Sequence, residues 1–140
     1  MLPRCKIIPA IFIAACLAAP FLSHADTVDY RFKVQSSEFR TMPVGKRIAY
    51  WAESFVGTPY DTDPLGRYVR KEKIIADDAV DCMYLTFRAV ELALSRAPED
   101  AAEKALDLRF ITKGRMDGDK VVNYDDRFQY GEDMIDSGKW

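Results

Sequence analysis

The chain has 140 residues, 49% hydrophobic and 30% charged, with 20 Lys plus Arg against 22 Asp plus Glu and a formal net charge of −2. That length supports one domain with a modest core. The charges are interspersed, with no basic stripe and no aromatic-basic alternation, which excludes a nucleic-acid-binding reading.

The N-terminus has the pattern of a secretory signal peptide. "MLPRCK" carries Arg4 and Lys6 ahead of the uncharged "IIPAIFIAACLAAPFL", and Ser23 and Ala25 stand where small residues precede a cleavage point. The apolar run is short for a membrane span. The reading is a signal over residues 1–25 and an exported mature domain over 26–140, periplasmic or extracellular. "IAAC", ending at Cys16, resembles a lipobox, so an outer-membrane lipoprotein is the alternative, and membrane attachment is expected only through a lipid on Cys16. Cleavage after Ala25 removes Arg4, Lys6 and no acid, so the net charge becomes more negative by two. Cys5 and Cys16 leave as well, and Cys82 remains without an intramolecular partner. In an oxidising compartment such a thiol is an intermolecular link, a buried inert group or a reactive one.

The mature region opens on "VDYRFKV", whose strict alternation predicts a half-buried strand over 28–34. "TMPVGKRIAYWAESFVGTPY" predicts a helix with Thr41 as its cap, Pro43 in its first turn and an apolar stripe at Val44, Ile48, Trp51 and Phe55. Gly57 is placed as its left-handed terminator, with Thr58-Pro59 preventing continuation. Residues 61–80 read as a long polar connection. Asp61, Asp63, Gly66 and Glu72 have calcium-loop spacing, but Pro64, Leu65 and Val69 stand at positions where that loop turns or ligates, so the likeness is assigned to chance.

"ADDAVDCMYLTFRAVELAL" predicts a helix that is apolar on most sides. Met83, Phe87, Val90 and Leu94 share one side and Leu85, Ala89, Leu92 and Ala93 much of the other, leaving a polar wedge of Tyr84, Arg88, Glu91 and Ser95. Such a helix is a buried one. Asp78 or Asp81 can cap it, which puts Cys82 in or beside its first turn. Ala97-Pro98 ends it and "PEDAAEKAL" begins a second helix with acids first. Within "LRFITKGRMDGDKVVNY" two short strands are expected around a Gly-Arg-Met-Asp-Gly turn region over 114–118, and Asp117-Gly118-Asp119 is read as a turn. The C-terminal "DRFQYGEDMIDSGKW" reads as helical with Phe128 and Ile135 inward. The Asp125-Asp126-Arg127 cluster reads as a cap with an ion pair.

A thiol at a helix start meets the positive end of the helix dipole and unpaired backbone N–H groups. Both stabilise negative charge on sulfur and on an attacked carbonyl oxygen, which suits acyl transfer when a base lies within reach. "GTPY" followed by "VDC" at the head of an apolar helix resembles the NlpC-type cell-wall cysteine hydrolases of the papain-like superfamily. With "EKII", "VDCMYLTFRAVELAL" and "YDDRFQY", the stretch from about Ile48 to Ile135 is similar to their bacterial N-acetylmuramoyl-L-alanine-amidase-like branch, a domain of unknown function.

The resemblance implies an α+β, papain-like fold in which Cys82 heads a central buried helix packed on an antiparallel sheet. Tyr60 and Asp81 would line the substrate cleft, and the Cys82 N–H would contribute to an oxyanion site. It implies peptidoglycan or a muropeptide as substrate, with cleavage of a stem-peptide amide or of the muramic acid–L-alanine bond, and no cofactor or metal. The family's general base is a histidine, whereas the one histidine here is His24 in the signal segment, and "RFQY" carries Gln129 where relatives often have histidine. The sheet also looks incomplete, so the chain reads as the N-terminal part of a longer protein. The alternatives are a non-catalytic peptidoglycan-binding relative, or a structural protein whose Cys82 packs or links a dimer.

Overall fold

The computed structural model describes residues 37–140, so the signal segment, Cys16, His24 and the strand expected over 28–34 lie outside the described residues. A short helix α1 (Ser37–Thr41) leads into α2 (Val44–Glu53). Pro43, not Thr41, flanks α2, at φ −51° and ψ 142°, and no side chain caps it. Proline's fixed φ and missing N–H suit a helix entrance. Of the expected stripe, Trp51 and Phe55 are buried and Ile48 half-buried, while Val44 is exposed. Successive i→i−3 bonds from Ser54, Phe55 and Val56 tighten the last turn, and Gly57 reverses the chain at φ +91°.

The connection over 61–80 contains a one-turn helix, α3 (Arg67–Arg70), that sequence patterning missed. Its N-terminus is satisfied from outside: Asp61 Oδ2 accepts from Arg67 N at 2.6 Å, and Asp61 Oδ1 from Asp63 N at 3.0 Å. Asp63 in turn accepts from Leu65 N at 3.0 Å and from Arg70 Nε at 2.5 Å. The hydrogen bond from Arg70 holds the Asp63 carboxyl down at about 2. The aspartates that imitate a calcium loop are therefore occupied in fixing the backbone.

Helix α4 (Cys82–Leu94) packs against α2 and against α5 (Pro98–Leu108). Ala97, extended at φ −146°, turns the chain into α5, where Pro98 begins the helix and Glu99 and Asp100 occupy its first turn, as expected. Strands β1 (Met116–Asp117) and β2 (Lys120–Val121) pair antiparallel, Met116 with Val121 and Asp117 with Lys120. Met116 and Asp117, expected in the turn region, are therefore strand. The two loop residues are Gly118 and Asp119, and a left-handed φ of +60° at Gly118 alone fits a type II′ hairpin. A 3₁₀ turn (Tyr124–Asp126) and α6 (Gly131–Asp136) follow. Phe128 is buried as expected, but Ile135 is 75% exposed. Helix α6 has no buried residue and is held by its own cap, Asp133 accepting from Tyr130 N at 3.0 Å. The chain end is tied down by Lys139, whose Nζ donates to the carbonyls of Asp107, Phe110 and Thr112 at 2.7–2.9 Å.

Helices and one antiparallel hairpin place the described region in the mixed α+β class. Among the described residues the sheet is limited to that hairpin. Burial in α4 does not follow apolar character. Leu94 is 42% exposed, while Tyr84, Arg88 and Glu91 of the polar wedge are at most 3% exposed. Arg88 grips Asp77 with Nε and Nη2, each at 2.9 Å. Arg109 grips Glu91 with Nε and Nη2, each at 2.6 Å, and donates Nη1 to Ile74 O at 2.8 Å. The Tyr84 hydroxyl donates to Asp77 at 2.7 Å and accepts from Ala76 N at 2.7 Å. Two acids, two arginines and a phenol thus form a neutral, paired network inside the core, the condition under which buried charge is tolerated.

Candidate functional site

The candidate site is assembled by one cap and one bridge. Asp81 is extended at φ −97° and ψ 179°, and its Oδ1 accepts from Tyr84 N at 2.6 Å. It therefore caps α4 and makes Cys82 the first helical residue, settling the choice between Asp78 and Asp81. Just upstream, Asp61 N donates to Val80 O at 2.9 Å and Val80 N to Pro59 O at 3.0 Å, an isolated parallel bridge between Tyr60 and Val80. That bridge carries the Gly57–Tyr60 turn alongside the start of α4.

Tyr60, Asp81 and Cys82 consequently line one open cleft of about 270 Å3, with the Asp61–Pro64 stretch and Met83 completing its wall. Cys82 is a free, exposed thiol, and Tyr60 is 67% exposed. Gly66 makes the close approach on this wall possible. It stands at φ +83°, and a Cβ there would come 2.7 Å from the Tyr68 ring and 3.4 Å from Asp81 Oδ2.

A second hollow of about 200 Å3 shares Pro64, Asp81 and Met83 with the first and extends it to Arg127, Gln129 and Tyr130. The late "RFQY" stretch thus lies next to the Cys82 cleft, with Gln129 in the adjoining wall. The expected Asp125-Asp126-Arg127 ion pair is not what holds this turn. Asp126 accepts from Thr112 N and Oγ1 at 3.1 and 2.6 Å, and Arg127 Nη1 donates to Tyr124 O at 3.0 Å. Pro64 and Arg127 reach the site through tertiary folding, and no local pattern marks them, whereas Met83 is there as the residue after Cys82.

Chemically, the cleft presents a nucleophilic sulfur at a helix start and three carboxylates, Asp61, Asp63 and Asp81. Among the described residues no cluster of three or more His, Cys, Asp or Glu is placed to hold a metal ion, and no helix is long and apolar enough to cross a membrane.

The cap has a measurable consequence. Asp81→Ala is expected to cost about 1 kcal/mol of stability by orphaning the Tyr84 N–H, whereas Asp81→Asn, which keeps an acceptor, should stay within a few tenths of wild type. Equal urea midpoints for the two variants would show that the cap does not hold the helix start. Comparison with protein-family models, with curated proteins and with solved structures finds nothing that matches this chain.

Proposed function

We propose that the chain carries the nucleophile of an exported cell-wall cysteine amidase or peptidase with a papain-like fold, acting by acyl transfer on an amide of peptidoglycan or a muropeptide. The observation that supports this reading is the exposed Cys82 thiol, set at the first turn of a 13-residue helix and in the wall of a cleft with Tyr60 and Asp81. In the reaction Sγ attacks the amide carbonyl, the first-turn N–H groups receive the oxyanion, and the C–N bond breaks as the amine takes a proton. Water then releases the acid and regenerates the thiol.

The proton transfers are the weak step. His24 is the one histidine in the sequence, and the acids that line the cleft with Cys82 are Asp61, Asp63 and Asp81. Loss of a positioned base lowers turnover by about 10²–10⁴. Amide cleavage by this chain alone is therefore slow. Acylation by an activated ester is spared, because that leaving group departs without a proton. Gln129 in the adjoining wall favours a second reading, a binding site for peptide amides, since its side chain both donates and accepts.

The test is acylation by the nitrophenyl ester of N-acetyl-L-alanine, followed by intact mass and peptide mapping. The expected result is a single adduct on Cys82, absent from Cys82→Ser. It should form at least about two- to fivefold faster than on free N-acetylcysteine at the same pH, the gain a helix terminus alone provides. A rate equal to the free thiol, or label spread over lysines, would sink the hydrolase reading. Retention of Cys82→Ser on insoluble peptidoglycan would then support the binding one.

A further inference from the structure

The far end of α4 holds a second cavity, about 18 Å from Cys82 along the helix at 1.5 Å per residue. It measures about 480 Å3 and is lined by Arg40 of α1, Arg47 of α2 and Arg96 just beyond α4, with Phe39, Leu94 and Ser95 between them. No carboxylate is among these residues, and none of the three guanidinium groups has an ion-pair partner among the described residues. This concentration of positive charge stands in a chain whose net charge is −2.

Arg47 has a structural duty, since its Nη1 donates to Ala93 O at 2.7 Å and so caps the C-terminal carbonyls of α4. That duty leaves its Nε buried without an acceptor and shut off from the cavity, so only the remainder of the guanidinium faces a ligand. It also does nothing to explain Arg40 and Arg96, which are exposed and converge on the same space. Three unpaired cations around one hollow repel each other unless an anion sits among them. Guanidinium forks match the planar and tetrahedral oxygens of carboxylate and phosphate, and hold them by paired charge-assisted hydrogen bonds. The cavity is larger than a bare ion, and Phe39 and Leu94 give it apolar walls beside the cations.

We propose that this cavity is an anion-binding site for a ligand presenting a phosphate or carboxylate group, separate from the Cys82 cleft and independent of any chemistry there. The ligand's charged end meets Arg40, Arg47 and Arg96, and its less polar part lies against Phe39 and Leu94.

The experiment titrates the full-length chain with inorganic phosphate, with acetate and with chloride at matched ionic strength, following thermal stability and heats of binding. At least one of phosphate and acetate is expected to give saturable stabilisation that chloride does not, and the stronger of the two identifies the group recognised. Arg96→Gln should weaken that binding about tenfold, and Arg40→Gln with Arg96→Gln about a hundredfold, one charge-assisted contact each. Arg47 is left intact because it caps α4. The substituted arginines make no side-chain hydrogen bond among the described residues, and circular dichroism without ligand checks the fold. Should the double variant be unfolded, the single variant carries the comparison. Stabilisation no greater than chloride's, or variants that bind as wild type does, would overturn the site.

Discussion

Glu91→Gln is expected to destabilise the fold by about 3–5 kcal/mol, the cost of removing one partner from a buried ion pair. Glu91 is fully buried and meets both arginines of the core, Arg109 at 2.6 Å and Arg88 Nη1 at 3.8 Å. Burial alone would push the Arg109 guanidinium toward losing its proton, but the Glu91 charge and its hydrogen bonds outweigh that and hold it protonated. The amide keeps the shape and one acceptor but takes away the charge, so Arg109 stays cationic with no anion bound to it. It is left with the Ile74 carbonyl and the rings of Tyr84, Tyr68 and Phe87 at 4.7, 5.6 and 5.9 Å. Against a typical total of about 5–15 kcal/mol, the thermal midpoint should fall by about 15 °C or more. Replacing both ends, Glu91→Leu with Arg109→Met, removes one charge of each sign and leaves Arg88 paired with Asp77. That double variant should recover at least half of the loss, although Ile74 O loses its donor. A Glu91→Gln midpoint within a few degrees of wild type would mean that water reaches the network.

This network also marks where sequence patterning stops being informative. Tyr84, Arg88, Glu91 and Ser95 recur at helical spacing and form a polar wedge, and nothing within α4 distinguishes a solvated wedge from a buried one. The distinction is made by Asp77, one loop upstream, and by Arg109, beyond the end of α5, and neither is in register with α4. Elements governed by local chemistry were legible. One of the two candidate aspartates, Asp81, caps α4, Pro98 opens α5 with two acids behind it, and the hairpin turns at Gly118, the last residue of the expected turn region. The one-turn α3 was not, because its N-terminus is satisfied by Asp61, six residues before its first residue. The site divides in the same way. Cys82 and its aspartate neighbours were readable from the helix start, Tyr60 was grouped with them only through the family resemblance, and Tyr60, Asp81 and Cys82 share one cleft. Pro64 and Arg127 join that region through the Tyr60–Val80 bridge and the fold of the late turn, contacts that no spacing in the chain encodes.

The same core makes the protein sensitive to alkali. Tyr68, Tyr84 and Tyr124 are all buried, and burial raises each phenol above its ordinary value; the Asp77 charge adds to the effect at Tyr84. The Arg109 charge acts in the opposite direction on all three and is outweighed. In the unfolded chain tyrosine ionises near pH 10. A group whose folded value lies higher contributes stability that is fully present below the unfolded value and is lost as pH rises toward the folded one. Each such phenol lowers stability by about 1.4 kcal/mol per pH unit in that window, so the three together give at most about 4 kcal/mol per unit. Two of them also donate hydrogen bonds that a phenolate cannot make, Tyr84 to Asp77 at 2.7 Å and Tyr124 to Lys73 O at 2.5 Å. The urea midpoint is therefore expected to stay level between about pH 7 and 9 and to drop steeply above about pH 10, with the part of the tyrosinate absorbance that comes from the buried rings rising together with loss of helical circular dichroism. A midpoint unchanged at about pH 11 would show that these rings ionise within the folded protein, and the closed, paired core described around Arg109 would have to be abandoned.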